Sequence, residues 1–123
     1  MRQEIVTVVL SGRPWRLFVR ADRYGHGGGL AVQLFDSEDD TPFATLSVNV
    51  EVTAFLQEDE FIFKTYSENA PFLQPMLKQG FVEMTGLHVD VGMAGPQPVC
   101  RLLKGVEGKD ATRGAQSPRS LVP

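Results

Sequence analysis

The stretch YGHGGGL, residues 24–30, is the first part of the chain with a possible chemical role, because glycines this dense either cradle a phosphate or let the backbone reverse tightly. Phosphate-binding glycine loops lead from a strand into a helix, whose N-terminal amides face the anion. The segment after Gly29 is LAVQLF, which predicts a strand. We therefore expect a tight connection between two antiparallel strands, with His26 as a solvated loop residue.

Three residues could ligate a metal ion or act as nucleophile and base: His26, His88 and Cys100. No two of them have the short spacing of a zinc site. Alternation places His88 opposite its neighbours Leu87 and Val89, so we predict that it points outward. Cys100 lies in an apolar strand, where a buried and unreactive thiol is the usual outcome. The sequence therefore predicts no metal site, no cofactor and no catalytic residue.

Two clusters of carboxylates occupy the middle of the chain, and both are predicted to lie in turns. A turn tip does not bury a carboxylate, as acid–base catalysis requires. The segment 36–68 carries nine acids against Lys64 alone, whereas the segments on both sides are net positive. The clusters are therefore either a contact surface for a basic partner or a solubilising face. Their residues are Asp36, Glu38, Asp39 and Asp40, and Glu58, Asp59 and Glu60.

Arginines near the N-terminus suggest a different function. Arg16 and Arg20 share one face of a predicted strand with Phe18 between them, an arrangement found in proteins that bind single-stranded nucleic acids. The alternative is that these arginines pair with acids on a neighbouring strand. The formal net charge of −3 argues against a broad nucleic-acid footprint, which would be basic.

A further group of polar residues lies where strands end and a helix begins: Asn49, Tyr66, Ser67, Glu68 and Asn69. Side chains of these types commonly cap helices and stabilise turns. A direct functional role is the alternative.

Alternation between apolar and polar residues predicts that most of the chain is β-strand. In FATLSVNV, the polar row Thr45, Ser47 and Asn49 predicts a sheet with one solvent-exposed face. Gly86 predicts a bulge, and prolines at 96 and 98 place the last strand at a sheet edge. The predicted strands cover residues 4–12, 14–21, 30–36, 43–50, 61–66, 81–93 and 97–103.

One helix is predicted within SENAPFLQPMLKQG, residues 67–80, where apolar residues recur at helical spacing. Ser67 or Asn69 can cap its start, and Gly80 can form a left-handed cap at its end. Pro75 would remove a backbone hydrogen bond from a longer helix, so we expect a short or kinked one.

Together these elements predict an α+β fold, with a mainly antiparallel, twisted sheet of six to seven strands and one short helix packed on one face. Residues 1–103 are expected to form a single domain. Residues 104–123 contain few large apolar side chains and are expected to be disordered. The predicted core consists of Trp15, Leu17, Val19, Leu30, Val32, Leu34, Leu46, Val48, Phe61, Phe63, Phe72, Leu73, Met76 and Leu77.

The single cysteine excludes an internal disulfide and fits a reducing compartment. The apolar run from residue 5 to residue 10 is too short for a signal-peptide core or a membrane span. We therefore expect a cytoplasmic protein without membrane association.

Five segments occur in a recognisable order: YGHGGGLAVQL, TPFATLSVNV, EDEFIFKTYSEN, TGLHVDVG and QPVCRLL. Together they resemble a small bacterial family, domain of unknown function 4313, often encoded on plasmids, conjugative elements and phage-like islands. The chain has His26-Gly27 where the family pattern has Asn-Gly, and its loop is longer by glycines. The resemblance implies no activity, and its mobile-element setting implies an accessory or anti-defence role.

We expect a small non-enzymatic protein that binds another protein, with the acidic region 36–60 as the contact. A single-stranded nucleic-acid binder that uses Arg16, Phe18 and Arg20 is the alternative. An enzyme is the third hypothesis, and it has the least support in the sequence.

Overall fold

The computed structural model describes residues 4–23, 30–48 and 56–107. Within them the chain forms nine strands, one 3₁₀ helix and one α-helix. The strands are β1 (Ile5–Leu10), β2 (Arg13–Arg23), β3 (Leu30–Asp36), β4 (Pro42–Thr45), β5 (Ser47–Val48), β6 (Glu60–Phe63), β7 (Val82–Asp90), β8 (Pro96–Leu102) and β9 (Val106–Glu107). The 3₁₀ helix is Ser67–Asn69, and α1 is Leu73–Lys78.

The α+β class and the antiparallel pairing are confirmed, but the strands form two sheets, so the single sheet of six to seven strands is wrong. The first sheet has the order β1-β2-β3-β4, and the second has the order β5-β6-β8-β7. β9 pairs in parallel with Arg20 and Ala21 of β2. Since β3 occupies the other edge of β2 at these residues, β9 lies on the edge that β1 leaves free beyond Phe18.

The chain passes from one sheet to the other at Leu46, which is why the predicted strand 43–50 divides. Its first part pairs with β3 and its second part pairs with β6. The Leu46 N–H donates to the Val32 carbonyl at 2.8 Å, and the Leu46 carbonyl accepts the N–H of Lys64 at 2.6 Å. A segment that bonds to both sheets must bend between them, and such bends form the corners of packed sheets.

Ser47 shows why alternation misleads at this corner. It is buried, so the predicted solvent-exposed row of Thr45, Ser47 and Asn49 is wrong at its centre. The Ser47 hydroxyl accepts the N–H of Val32 at 2.9 Å, and thereby satisfies a buried backbone donor. Thr45 is exposed, and Asn49 lies outside the described residues.

One hydrophobic core is shared by the inner faces of both sheets and by the helical segment. Most of the predicted core residues belong to it, with Trp15, Leu73 and Leu77 partly buried at its margin. Val48 differs, because it packs against a smaller cluster on the other face of the second sheet. That second cluster consists of Ile62, Val89 and Val99.

The helix is short, as predicted, but its start differs from the prediction. No side-chain hydrogen bond caps either helix, so the prediction that Ser67 or Asn69 caps the start is wrong. Phe72 holds the N-cap position of α1, and Pro75 lies in the first turn, where a backbone N–H has no intrahelical acceptor. The proline therefore costs this helix no hydrogen bond.

The predicted end of the helix is confirmed at Gly80, which has a φ of +80°. The Gly80 N–H donates to the Leu77 carbonyl at 3.2 Å, and the Phe81 N–H donates to the Met76 carbonyl at 2.9 Å. This pair of bonds is a Schellman motif, which favours glycine because the left-handed conformation is costly for other residues.

α1 lies against β1 and β7, the edge strands of the two sheets, and not on one sheet face as predicted. After its last turn, Gln79 reaches the outer edge of β1. Its side-chain oxygen accepts the N–H of Thr7 at 3.0 Å, and its side-chain nitrogen donates to the Thr7 carbonyl at 2.7 Å. The amide thus covers the centre of an edge strand, which natural sheets otherwise protect from pairing with other chains.

The β7–β8 hairpin contains the predicted bulge and one further correction. The register shifts between Met84 and His88, around Gly86. β8 lies between β6 and β7, so the prediction of an edge strand is wrong. The two prolines are nevertheless explained, because β6 pairs only with residues 99–101 of β8. Pro96 and Pro98 precede that pairing and remove no hydrogen bond from it.

Beyond residue 103 the chain returns to the first sheet, where β9 pairs with β2. Gly105 approaches the first sheet closely, and a side chain there would meet the Val19 side chain at 3.3 Å. Residues 108–123 lie outside the described residues, so their disorder stays a prediction.

The corner residue gives the first testable prediction. Leu46→Ala should destabilise the protein by roughly 2–5 kcal/mol, because it removes a fully buried side chain and leaves a cavity between the two sheets. Urea unfolding measures the difference. Val9→Ala, at a side chain 61% exposed, is the matched control and should change stability by less than about 0.5 kcal/mol. Equal effects of the two substitutions would contradict the corner assignment.

Candidate functional site

The solvent-facing side of the first sheet carries a row of apolar side chains across three strands. Phe18 of β2 is directly opposed to Phe35 of β3 on one side and to Ile5 of β1 on the other. All three are half-buried, whereas their neighbours Leu17 and Leu34 face the core. This set, Ile5, Phe18 and Phe35, is called the aromatic row below. It places two half-buried aromatic rings on the outer face of the central strands β2 and β3.

Arg20 lies beside the aromatic row and is already engaged. Its guanidinium carbon is 4.5 Å from the ring centroid of Phe35 and 5.8 Å from that of Phe18. Its Nη2 donates to Oδ1 of Asp40 at 2.5 Å. The alternative predicted that the arginines pair with acids on a neighbouring strand. Arg20 does pair with an acid, but that acid lies in a turn and not on a strand. Arg16, on the same face, is exposed.

The acidic turn, residues 36–40 between β3 and β4, is folded by its own hydrogen bonds. The Asp40 N–H donates to the Asp36 carbonyl, and the Asp36 N–H donates to the Thr41 carbonyl, both at 2.8 Å. The Asp36 carboxylate accepts the N–H of Glu38 at 2.9 Å. The Thr41 hydroxyl, followed by the Thr41 amide, lowers the pKa of Asp39. The turn therefore presents exposed negative charge next to the aromatic row.

The second acidic cluster lies at the other end of β2, so the two clusters of the predicted acidic region 36–60 are far apart on this strand. Asp36 is opposed to Leu17, whereas Glu58 contacts Arg23 through a hydrogen bond of 2.9 Å from Nη2 to its carbonyl. Six residues of extended strand separate these two points of β2, a distance of about 20 Å.

Most of the second cluster belongs to an ion-pair network on the second sheet. Arg101 of β8 contacts Glu60 at 3.2 Å, Glu83 at 2.6 Å and Asp59 at 3.4 Å. The hydrogen bond to Glu83 is the main reason that the pKa of Arg101 is raised. Glu60 is buried and is a strand residue, not a turn tip. These carboxylates therefore hold three strands together and are engaged internally.

The predicted polar group divides into a surface part and a buried part. The Glu68 carboxylate accepts the Ser67 hydroxyl at 2.6 Å and contacts Lys64 at 3.4 Å. Asn69 is buried and donates from Nδ2 to the Thr45 carbonyl at 2.5 Å, which ties the 3₁₀ helix to β4. These contacts are those of a turn that is fixed to the sheet.

Tyr66 and Ser67 complete this polar group. The Lys64 ammonium lies 5.3 Å from the ring centroid of Tyr66. Ser67 has a φ of 60°, which is uncommon for a residue other than glycine. Asn49, the remaining member, lies outside the described residues.

Cys100 and His88 are placed as predicted. Cys100 is buried, and desolvation raises the pKa of its thiol to about 12. Its Sγ lies 3.8 Å from the sulfur of Met84. His88 is exposed on β7, and His26 lies outside the described residues. Within the described ranges, no group of three or more histidine, cysteine or acidic side chains could hold a metal ion.

A cavity of about 300 Å³ opens where β2 ends and β3 begins, beside the turn that follows β8. Its apolar wall includes Ala21, Leu30 and Leu102. Its charged groups already have partners, because Arg23 contacts Glu58 and the Lys104 ammonium donates to the Gln79 carbonyl at 3.4 Å.

Comparison with known proteins adds no relative: no protein-family model, no curated protein and no solved structure matches the chain. In the part of the chain that the structure describes, none of the helices has the length and apolar character needed to cross a bilayer.

Phe35 is the residue of this surface that the sequence analysis missed. Its strand was predicted correctly, and alternation with Leu34 already placed it on the outer face. What the sequence does not state is the pairing register, which sets Phe35 opposite Phe18. The register of a hairpin follows from the sequence only when the number of residues in its turn is known. A shift of one residue would move every side chain of the strand to the other face of the sheet.

Glu68 gives a prediction for acid pH. The Ser67 hydroxyl is the main cause that lowers the pKa of Glu68 from 4.5 to about 2. Because the folded pKa is the lower one, the contribution of the carboxylate to stability is present above about pH 4.5 and is lost as the pH falls towards 2. Wild type should therefore lose more stability across this interval than Glu68→Gln, as measured by urea midpoints. Glu38→Gln is the control and should behave like wild type; a Glu68→Gln profile that matches wild type would contradict the assignment.

Cys100 gives a prediction about reactivity. A thiol with a pKa of about 12 is almost entirely protonated at pH 8 and is shielded from reagents in the folded state. A thiol-reactive disulfide reagent should therefore label the native protein only very slowly, and should label it at once in concentrated urea. Rapid stoichiometric labelling of the native protein would show that this thiol is accessible.

Proposed function

We propose that this chain is a small protein-binding module, and that it binds through the outer face of the first sheet. The contact combines the aromatic row with the neighbouring acidic turn. Its partner is a protein surface with an apolar centre and basic side chains at its margin. The direct opposition of Phe18 and Phe35 on the outer face of the sheet, next to exposed carboxylates, carries this proposal.

The composition of this face supports a protein contact. Protein interfaces concentrate binding energy in aromatic and arginine side chains near their centre and place polar residues at the rim. Here two phenylalanines lie at the centre, and Thr7, Gln33 and Thr45 lie at neighbouring positions on the same face. The acidic turn forms one side of the rim, which favours a partner of positive charge.

The charges on this face argue against single-stranded nucleic acid, the alternative. A nucleic-acid surface gains most of its affinity from cations that contact phosphates. Arg20 contacts the Asp40 carboxylate, and the turn adds the exposed carboxylates of Glu38 and Asp39. Arg16 is the remaining cation of the predicted nucleic-acid face, and its charge is outweighed by those of the turn. The resemblance to a family on mobile genetic elements fits an accessory or anti-defence role for such a module.

The proposal predicts that partner binding depends on the aromatic row. The tagged protein is used to capture partners from a lysate of its source cells, and a captured protein is then purified and its affinity measured by calorimetry. Phe18→Ala and Phe35→Ala should each weaken binding by tenfold or more, as is usual for central aromatic residues. Raising the salt concentration from 50 to 300 mM should also weaken it, because the acidic rim is screened.

Leu87→Ala is the matched control, since Leu87 is 51% exposed and lies on the second sheet. It should bind as wild type does, and thermal melting should show that all variants are folded. Retention of nucleic acid, lost on nuclease treatment, would favour the alternative. Affinity unchanged in both phenylalanine variants would overturn the proposed surface.

A further inference from the structure

Arg20 occupies a site that has the chemistry of a guanidinium receptor. One side of its guanidinium faces the Phe35 ring at 4.5 Å, with Phe18 at 5.8 Å, and its Nη2 is held by the Asp40 carboxylate at 2.5 Å. Aromatic faces attract cations, and planar guanidinium both stacks on rings and bonds to carboxylates. The three groups therefore form a cation site, which we call the Arg20 site: Phe18, Phe35 and Asp40.

The receptor part of this site is held in place without Arg20. The acidic turn that carries Asp40 is closed by the two backbone hydrogen bonds between Asp36 and its neighbours Asp40 and Thr41. Phe18 and Phe35 are fixed by the pairing of β2 with β3. Removal of the Arg20 side chain therefore leaves the two rings and the carboxylate in their positions and opens the space between them.

The contacts of Arg20 with the Asp40 carboxylate and the two rings are partly exposed to solvent. The Arg20 side chain is 20% exposed, and that of Asp40 is 60% exposed. Ion pairs and cation–π contacts at partly exposed sites are individually weak, so a competing cation can displace the side chain from the carboxylate and the rings.

We propose that the Arg20 site receives an arginine side chain of the partner protein, and that Arg20 is an internal competitor that keeps the site closed until the partner binds. This inference rests on the proposed function, since it names the residue of the basic partner that the aromatic row receives. It treats Arg20 as a regulatory residue of the surface and not as a contact that adds affinity. A side chain tethered beside its own receptor acts at a high effective concentration. The partner arginine must therefore bind the site strongly enough to displace Arg20.

The test begins with a probe that needs no partner. N-acetyl-arginine methylamide is titrated into ¹⁵N-labelled wild type, Arg20→Ala and Arg16→Ala, and amide chemical shifts are followed. Arg20→Ala should show saturable shifts near residues 18, 35 and 40, with an affinity at least about tenfold above that of wild type. Arg16→Ala, which removes a neighbouring arginine of the same face, should behave as wild type. The double variant Arg20→Ala/Asp40→Asn should lose the shifts.

The second part of the test uses the partner protein, and its expected result is the opposite of that for a simple contact residue. Arg20→Ala should raise the affinity for the partner about tenfold, whereas a residue that merely contacts the partner would lower the affinity on removal. No saturable shift in Arg20→Ala at 100 mM probe, or equal shifts in Arg16→Ala, would overturn the inference. A third outcome separates the two proposals. If the probe binds to Arg20→Ala, but Phe18→Ala and Phe35→Ala do not change the affinity for the partner, the cation site is supported and the proposed function is contradicted.

Discussion

The structure depends on the crossing of the chain from the first sheet to the second, at Leu46 and Ser47. The backbone of Leu46 bonds to Val32 in the first sheet and to Lys64 beside the second, and the buried Ser47 hydroxyl satisfies the N–H of Val32. Buried backbone groups must be paired, so a residue with one bond to each sheet fixes the angle between them. The two inner faces are thereby brought onto one core, and α1 closes the opposite side between β1 and β7.

This closure determines which surfaces remain for function. β2 and β3 bury alternate side chains, so once the inner faces share a core, the outer face of the first sheet carries their remaining residues. On β2 and β3 those residues include Phe18 and Phe35, and the turn after β3 brings Asp40 back over the same face. The acidic residues of the second sheet are used differently, since Arg101 draws them into a network across β6, β8 and β7. Two acidic clusters of similar composition therefore make different contacts, because the fold places them on different sheets.

The sequence predicted what depends on local chemistry. The period-two strands, the bulge at Gly86, the helix end at Gly80 and the buried Cys100 were all derived from neighbouring residues, and each is found in the structure. The division into two sheets and the position of β8 were not predicted, because both depend on pairing between distant segments. Ser47 shows the limit most clearly: a serine in an alternating strand indicates a solvent-exposed position, but here its hydroxyl replaces a backbone partner at a corner. The sequence predicts only part of the aromatic row. Phe18 is identified through its arginine neighbours, whereas the position of Phe35 opposite Phe18 depends on the pairing register.

Native-state amide hydrogen exchange tests most directly whether the crossing joins both sheets into one cooperative unit. The N–H groups of Val32, Leu46 and Lys64 report on the corner, and those of β2 and β8 report on the two sheets. If the crossing holds the fold together, all of them should exchange with one free energy, equal to that of global unfolding in urea. Corner amides that exchange through a low-energy local opening, while each sheet keeps its own separate protection, would contradict this account.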